Sequence, residues 1–291
     1  MVQRKKRTLK IILALLGAII FLLILTSAWL YSGDLTTLKI KTFRFLPYPM
    51  ALVNGRPILM SDFILRLSTA QKIAGSVDGM PAADETQSAV YKQLVEEAKI
   101  AQVAYRHGVS VGTQEISAEY ATQAAQADLE GKKNFEELLN SYGLSRKDFE
   151  SQILRPQLLL ANLQIWFNSQ SQLNPTAHNL AGSLAEKIRQ GEDMATLATA
   201  NSEDITGKST GGDLGFVDPA DLLLDLREGV ANMKTGEVKI LVSRFGLHII
   251  KQVAQQGNEV HLLQIFLKTG DFNHWLNQEI KNIKIWKLIK I

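Results

Sequence analysis

Apolar and polar positions fall into three successive patterns along the chain. Residues 11–31 form an unbroken apolar run without a charge, "IILALLGAIIFLLILTSAWLY". At about 1.5 Å per residue such a helix spans roughly 30 Å, the thickness of a bilayer core. The preceding "MVQRKKRTLK" carries five positive charges. That bias predicts a cytoplasmic amino terminus, with residues 33–291 outside the cytoplasm. A retained anchor over residues 1–32 is expected. The small-x-small "TSA" at 26–28 keeps a cleaved signal peptide open as the alternative.

The second pattern is helical. Short extended segments come first, with a turn at Asn54 and Gly55 between two apolar runs. Ser61 is the expected N-cap of a helix starting at Asp62. Val90, Leu94, Ala98, Ala101 and Tyr105 recur at three- and four-residue spacing and make one apolar face. Gly108 ends that helix. A second helix is predicted from about Gln114 to Leu129, and a third around Phe135 and Leu139, stopped at Gly143. Ser145 with Asp148 reads as a capping box. Leu154, Leu158, Ala161 and Ile165 mark a last long helix, and 167–178 reads as linker.

The third pattern is mixed. Asn174 and Pro175 signal a helix start, as N-cap and first helical residue. The helix runs to Arg189, and a shorter one carries Met194, Leu197 and Ala198. Residues 201–213 read as loop. "TGEVKILV" and "FGLHIIKQV" read as strands joined at Ser243 and Arg244, and a turn at 256–258 brings 260–268 back antiparallel. Residues 271–282 suggest a helix. The final "IKIWKLIKI" reads as a strand packing on the 42–55 region, with a basic tail lying on the membrane as the other option.

Composition excludes more than it assigns. With 32 basic and 29 acidic residues the net charge is +3, and no basic stripe interleaved with aromatics appears, so no nucleic-acid partner is expected. There is no cysteine, hence no disulfide and no thiolate chemistry. The five histidines (107, 178, 248, 261, 274) are far apart and show no metal-ligand spacing. In "STGGDLGF" at 209–216 the only nearby lysine, Lys208, precedes the glycines, so this is not a phosphate-binding loop.

Residues 51–168 resemble the helical chaperone region of the SurA, PpiD and PrsA foldases. The resemblance rests on "ALVNGRPILMSDF", "AYRHGVSVGTQEISAEY" and "FEELLNSYGLSRKDFESQI", in that order. Residues 180–254 resemble a parvulin, the small peptidyl-prolyl isomerase fold, through "GEDMATLATANSEDITGKSTGGDLGF" and "KTGEVKILVSRFGLHIIK". The fold class implied is α+β: an amino-terminal transmembrane helix, a SurA-like helical module over 33–170, with 271–291 packing on it, and a parvulin-like α/β domain with an antiparallel sheet over 174–270.

A parvulin ordinarily begins with a strand whose histidine faces the site, and none precedes Asn174. "QIFLK" at 264–268 resembles that strand, which suggests a domain permuted so that its first strand comes last. Carried over residue by residue, the resemblance implies a polar site of His248, Asp204, Ser243 and Gln264, the last in place of a histidine. It implies an apolar substrate wall of Leu214, Leu222 and Leu226, with Phe216 beside it.

The function implied is that of a membrane-anchored extracytoplasmic foldase. It would isomerise prolyl bonds and chaperone unfolded or nascent exported polypeptides, needing no cofactor and no metal, and a homodimer is compatible with it. The alternative is a holdase or assembly chaperone that keeps the parvulin fold only for binding.

Overall fold

The computed structural model describes residues 47–74, 83–129 and 134–289. The apolar run at 11–31 lies outside these. Among the described residues no helix is long and apolar enough to cross a membrane. The described residues divide into two compact units, one of residues 47–74, 83–98, 140–144 and 283–289, the other of residues 99–129, 134–139 and 145–282.

The first unit is built on a small sheet of order β2-β1-β7. β1 (Pro49–Val53) turns back at Asn54 and Gly55 into β2 (Arg56–Leu59), both turn residues having positive φ. On its other side β1 pairs antiparallel with β7 (Ile285–Lys287), Ala51 opposite Lys287. The carboxy-terminal strand thus completes a sheet begun more than two hundred residues earlier. Its core is Met50, Val53, Met60 and Phe63 with Val90 and Leu94. The helix α1 (Met60–Ala74) follows β2 directly, so Ser61 sits inside its first turn and is not the N-cap the sequence suggested. Arg66 of α1 and Glu97 of α2 (Ala83–Arg106) form a two-pronged ion pair at 2.6 Å.

In the second unit α3 (Thr113–Leu129) and the start of α4 (Phe135–Ser141) are followed by α5 (Arg146–Phe149). The Ser145 and Asp148 capping box forms in both directions. Between α5 and α6 (Arg155–Ser169) lies one π-helical turn, Glu150–Leu154. Pro156 explains it, because a proline has no N–H to give the carbonyl four residues back and its ring crowds that carbonyl. The Arg155 N–H instead reaches back five residues to Glu150. Tyr105 of α2 is 70% exposed, so the apolar face of that helix does not extend to it; Val103 and Ala104 are buried instead.

The carboxy-terminal part of this unit is a four-stranded antiparallel sheet of order β3-β6-β5-β4. Its strands are β3 (Asp213–Val217), β4 (Val238–Ser243), β5 (Gly246–Gln256) and β6 (Glu259–Leu267). Alternation along β5 and β6 sends Leu247, Ile249, Ile265 and Leu267 to one face, under α7 (Pro175–Arg189) and α8 (Met194–Asn201). The opposite face carries Ile250, Val260 and Leu262, packed on Leu226, Val230 and Met233 at α10 (Leu224–Ala231).

The stretch 201–213 read as loop holds a short helix, and the residues after it, which were given no element, form a strand. Residues 205–209 form α9 (Ile205–Ser209), and Asp213–Val217 is the strand β3 beside β6. Asn174 precedes α7, but its side chain does not cap it. The amide donates to the carbonyl oxygens of Phe167 and Gln170, and its oxygen accepts from the Gly270 N–H. The stretch read as linker begins inside α6, where Phe167 and Asn168 are buried. α11 (Phe272–Ile280) closes the unit, with Trp275 against Trp166 and Phe167.

Candidate active site

Three of the four polar residues expected at the site, Ser243, His248 and Gln264, meet on the α10 face of the sheet. His248 stands two residues before Ile250 on β5, and Gln264 two after Leu262 on β6. Ile250 and Gln264 are cross-strand partners, so the two polar side chains are diagonal neighbours. His248 Nδ1 lies 2.9 Å from Gln264 Oε1, and His248 Nε2 lies 2.8 Å from the Ser243 hydroxyl. An amide oxygen only accepts, so Nδ1 carries the proton. In the neutral ring Nε2 then accepts from the Ser243 O–H. The Phe245 N–H donates to the same hydroxyl at 3.0 Å.

The four groups form one directed chain: Phe245 N–H to Ser243 Oγ, Ser243 O–H to His248 Nε2, His248 Nδ1–H to Gln264 Oε1. Ser243 is fully buried and His248 nearly so. Burial pushes the His248 pKa below that of an ordinary histidine. The Gln264 hydrogen bond and the negative charges of Asp225 and Asp204 oppose this without overcoming it. His248 is therefore neutral at pH 7.

In front of this chain opens a cleft of about 460 Å³, lined by Glu203, Asp204, Ile205, Leu223, Phe245, His248, Gln264 and Phe266. Asp204 is the N-cap of α9, accepting from the Thr206 N–H at 3.1 Å. It borders the cleft and reaches His248 through its charge, with no hydrogen bond between them. The His248 and Phe266 rings are 5.0 Å apart. Ile205, Leu223 and Phe245 are exposed apolar residues around the opening.

The walls differ from those expected. Leu226 is buried in the core beneath α10, and Leu214 and Leu222 are packed against that core. Leu222 packs against the core, and the next residue, Leu223, lines the cleft. Phe216 lies on β3 against the His261 ring and is absent from the cleft lining. Sequence reasoning missed Ile205, Leu223, Phe245 and Phe266. Apolar side chains beside a turn or cap were the available signal.

It also missed Asp225. This carboxylate accepts from the Arg244 backbone N–H, Nε and Nη2 at 3.0, 2.9 and 2.7 Å. Burial would raise its pKa, but the Arg244 hydrogen bonds and charge outweigh this and hold it below the usual carboxylate range.

The glycine pair of "STGGDLGF" has a structural reason. Gly212 has φ +80°, and a Cβ there would collide with the Gln264 carbonyl oxygen. The Gln264 N–H in turn donates to the Gly212 carbonyl at 2.8 Å. The bare backbone thus lets the 210–212 turn press against the strand that carries Gln264. Among the described residues no group of histidine and carboxylate side chains could hold a metal ion.

Two family models match the chain. Residues 144–256 match the PPIC-type PPIASE domain, and residues 1–164 match the SurA-like N-terminal domain. The chaperone SurA of Saccharophagus degradans is 26% identical, over 80% of this chain and 64% of that protein. The foldase protein PrsA of Halalkalibacterium halodurans is 26% identical, over 60% of this chain and 62% of that protein. The chain therefore spans less than two thirds of the length of these two relatives. A crystal structure of PrsA from Bacillus anthracis is 17% identical with a TM-score of 0.22, covering 65% of this chain and 86% of that one. With a SurA-like N-terminal domain matched over more than half its length and a PPIC-type domain after it, the chain belongs to the SurA-like family of parvulin-bearing foldases.

Proposed function

We propose that this protein is a peptidyl-prolyl cis-trans isomerase and chaperone, and that the cleft in front of His248 is where the prolyl bond turns. The observation that carries the reading is the hydrogen-bonded chain Ser243, His248, Gln264 at the floor of a cleft with apolar walls. Rotation about an Xaa-Pro bond breaks no covalent bond, yet its barrier is roughly 18–20 kcal/mol because the planar amide is resonance-stabilised. A site lowers that barrier by favouring the twisted amide, which has lost its resonance and gained basicity at nitrogen. Ile205, Leu223, Phe245 and Phe266 offer the apolar grip a proline ring needs. Gln264 Oε1 is occupied by His248, which leaves the amide nitrogen and its two N–H groups free to donate. That nitrogen makes no hydrogen bond to a described residue. The His248 Nδ1–H and the Gln264 oxygen hold each other in this arrangement.

The remaining elements of the proposal follow from the sequence. Residues 11–31 anchor the chain in a membrane, residues 1–32 forming tail and anchor. The functional parts, a helical chaperone module over 33–170 and a parvulin-like domain over 174–270, lie outside the cytoplasm, where exported polypeptides fold. The clients are unfolded chains. A second reading, a holdase without turnover, is favoured by one observation: glutamine stands at 264 where the resemblance calls for histidine.

Exchange NMR on a set of Xaa-Pro peptides separates the two. Catalysed exchange supports the isomerase. Suppressed aggregation of an unfolded client without catalysed exchange supports the holdase and overturns the isomerase.

A further inference from the structure

The turn between β4 and β5 carries two parts of the site. Ser243 and Gly246 are the last paired residues of the hairpin, so Arg244 and Phe245 form the turn itself. Ser243 supplies the hydroxyl bonded to His248 Nε2, and Phe245 is a wall of the cleft, 57% exposed. A two-residue turn ending in an exposed ring has little within itself to hold it. This one is held from outside, on two sides.

On one side Asp225, in the first turn of α10 and with its side chain only 4% exposed, takes three hydrogen bonds from Arg244, one of them from the backbone. On the other side Asn168, near the end of α6 and 3% exposed, donates from its amide to the Ser243 carbonyl at 2.8 Å. Asn168 is itself fixed. Its amide oxygen accepts from the Thr269 hydroxyl at 2.6 Å, just beyond β6, and its carbonyl lies 2.8 Å from His178 Nε2 on α7. A buried asparagine with both ends of its amide satisfied has one orientation.

We propose that Asn168 and Asp225 are positioning residues of the isomerase site, clamping the Ser243–Phe245 turn so that the Ser243 hydroxyl stays on His248 Nε2, backing the Nδ1–H tautomer that the Gln264 oxygen selects, and Phe245 stays at the cleft wall. Neither faces the cleft; both act through the turn. The inference rests on the isomerase reading for its kinetic consequence. It also makes the last turns of α6 part of the catalytic domain, so a domain boundary at residue 174 would cut away one of the two clamps.

The test uses the full chain with Asp225→Asn and Asn168→Ser, which keep a polar side chain at each place, and Asp225→Glu as the conservative variant. Exchange NMR on an Ala-Pro peptide gives kcat and KM, and nitrogen-proton correlation spectra of the His248 ring give its tautomer. Each disruptive variant is expected to lower kcat about ten- to hundredfold, KM changing less than twofold, as misplacement of a catalytic group does. The ring should pass from a single Nδ1–H tautomer to a mixture, and Asp225→Glu should recover part of the loss. If Asp225→Asn does not fold, Arg244→Lys is read the same way, since it keeps a cation but loses the two-pronged geometry. Unchanged kcat together with an unchanged tautomer in the variants would overturn the clamp. Should the unaltered chain show no turnover, the isomerase reading fails and the tautomer decides the clamp alone: a mixture supports it, a single tautomer overturns it.

Discussion

Ser243→Ala removes one oxygen and two hydrogen bonds. The hydroxyl is fully buried, donates to His248 Nε2 at 2.8 Å and accepts from the Phe245 N–H at 3.0 Å. Phe245 is half exposed, so water can take over its N–H at small cost. His248 is nearly buried and its Nε2 would have no substitute. A buried polar group left without its partner costs about 1–3 kcal/mol. Chemical denaturation of the unaltered and Ser243→Ala chains should differ by about that amount, and the midpoint of thermal unfolding should fall by roughly 2–12 °C. Ser243→Thr keeps the hydroxyl and suits a strand, but adds a methyl to a filled site; overpacking of that kind costs about 1–3 kcal/mol while leaving the His248 tautomer unchanged. The two variants therefore separate stability from chemistry. Both lose stability, but only the alanine lowers kcat and releases the Nε2 hydrogen bond. A Ser243→Ala chain within about 0.5 kcal/mol of the unaltered one, with the same His248 spectrum, would refute the hydrogen-bonded chain.

Two further outcomes follow from the same geometry. His248 has a folded pKa below its ordinary value of about 6.5. Below that value the unfolded chain takes up a proton that the native chain resists, so this contribution to stability is complete above pH of about 6.5 and is lost as pH falls toward the folded pKa. Urea midpoints measured from pH 8 to 5 should therefore drop on the acid side, less so in His248→Gln, and a flat difference between the two proteins would contradict the shift. Gly212→Ala places a Cβ against the Gln264 carbonyl, whereas at Gly215, also of positive φ, nothing lies within 4 Å of the added atom. Gly215→Ala should cost about 1–2 kcal/mol from the left-handed backbone alone, and Gly212→Ala distinctly more by denaturant titration; equal costs would mean that the close approach to β6 is absent.

Much of this was legible in the sequence, for physical reasons that differ from place to place. The capping box at Ser145 and the turn at Asn54 and Gly55 are local signals, and local chemistry alone forms them. The hairpin of β5 and β6 was legible from the glycine turn at 256–258 and from the likeness of "QIFLK" to a parvulin strand, and it places Gln264 beside His248. β3 was missed because a strand beginning "DLG", with glycine at its centre, owes its existence to pairing with β6. Asn168 and Asp225 were missed for a related reason. Each bonds a residue far along the chain, Ser243 and Arg244, and no spacing within one segment announces such a contact. The apolar cleft walls were missed; Leu222 and Leu223 are equivalent in composition, and only the backbone at the start of α10 decides which one turns outward.

The most direct test of the central claim is prolyl exchange catalysed by residues 33–291, compared with His248→Ala and Gln264→His in the same chain. Exchange above background that falls sharply in His248→Ala and persists or rises in Gln264→His is the expected result. Exchange at the same rate in His248→Ala, or in none of the three proteins, would contradict an isomerase site at the floor of this cleft.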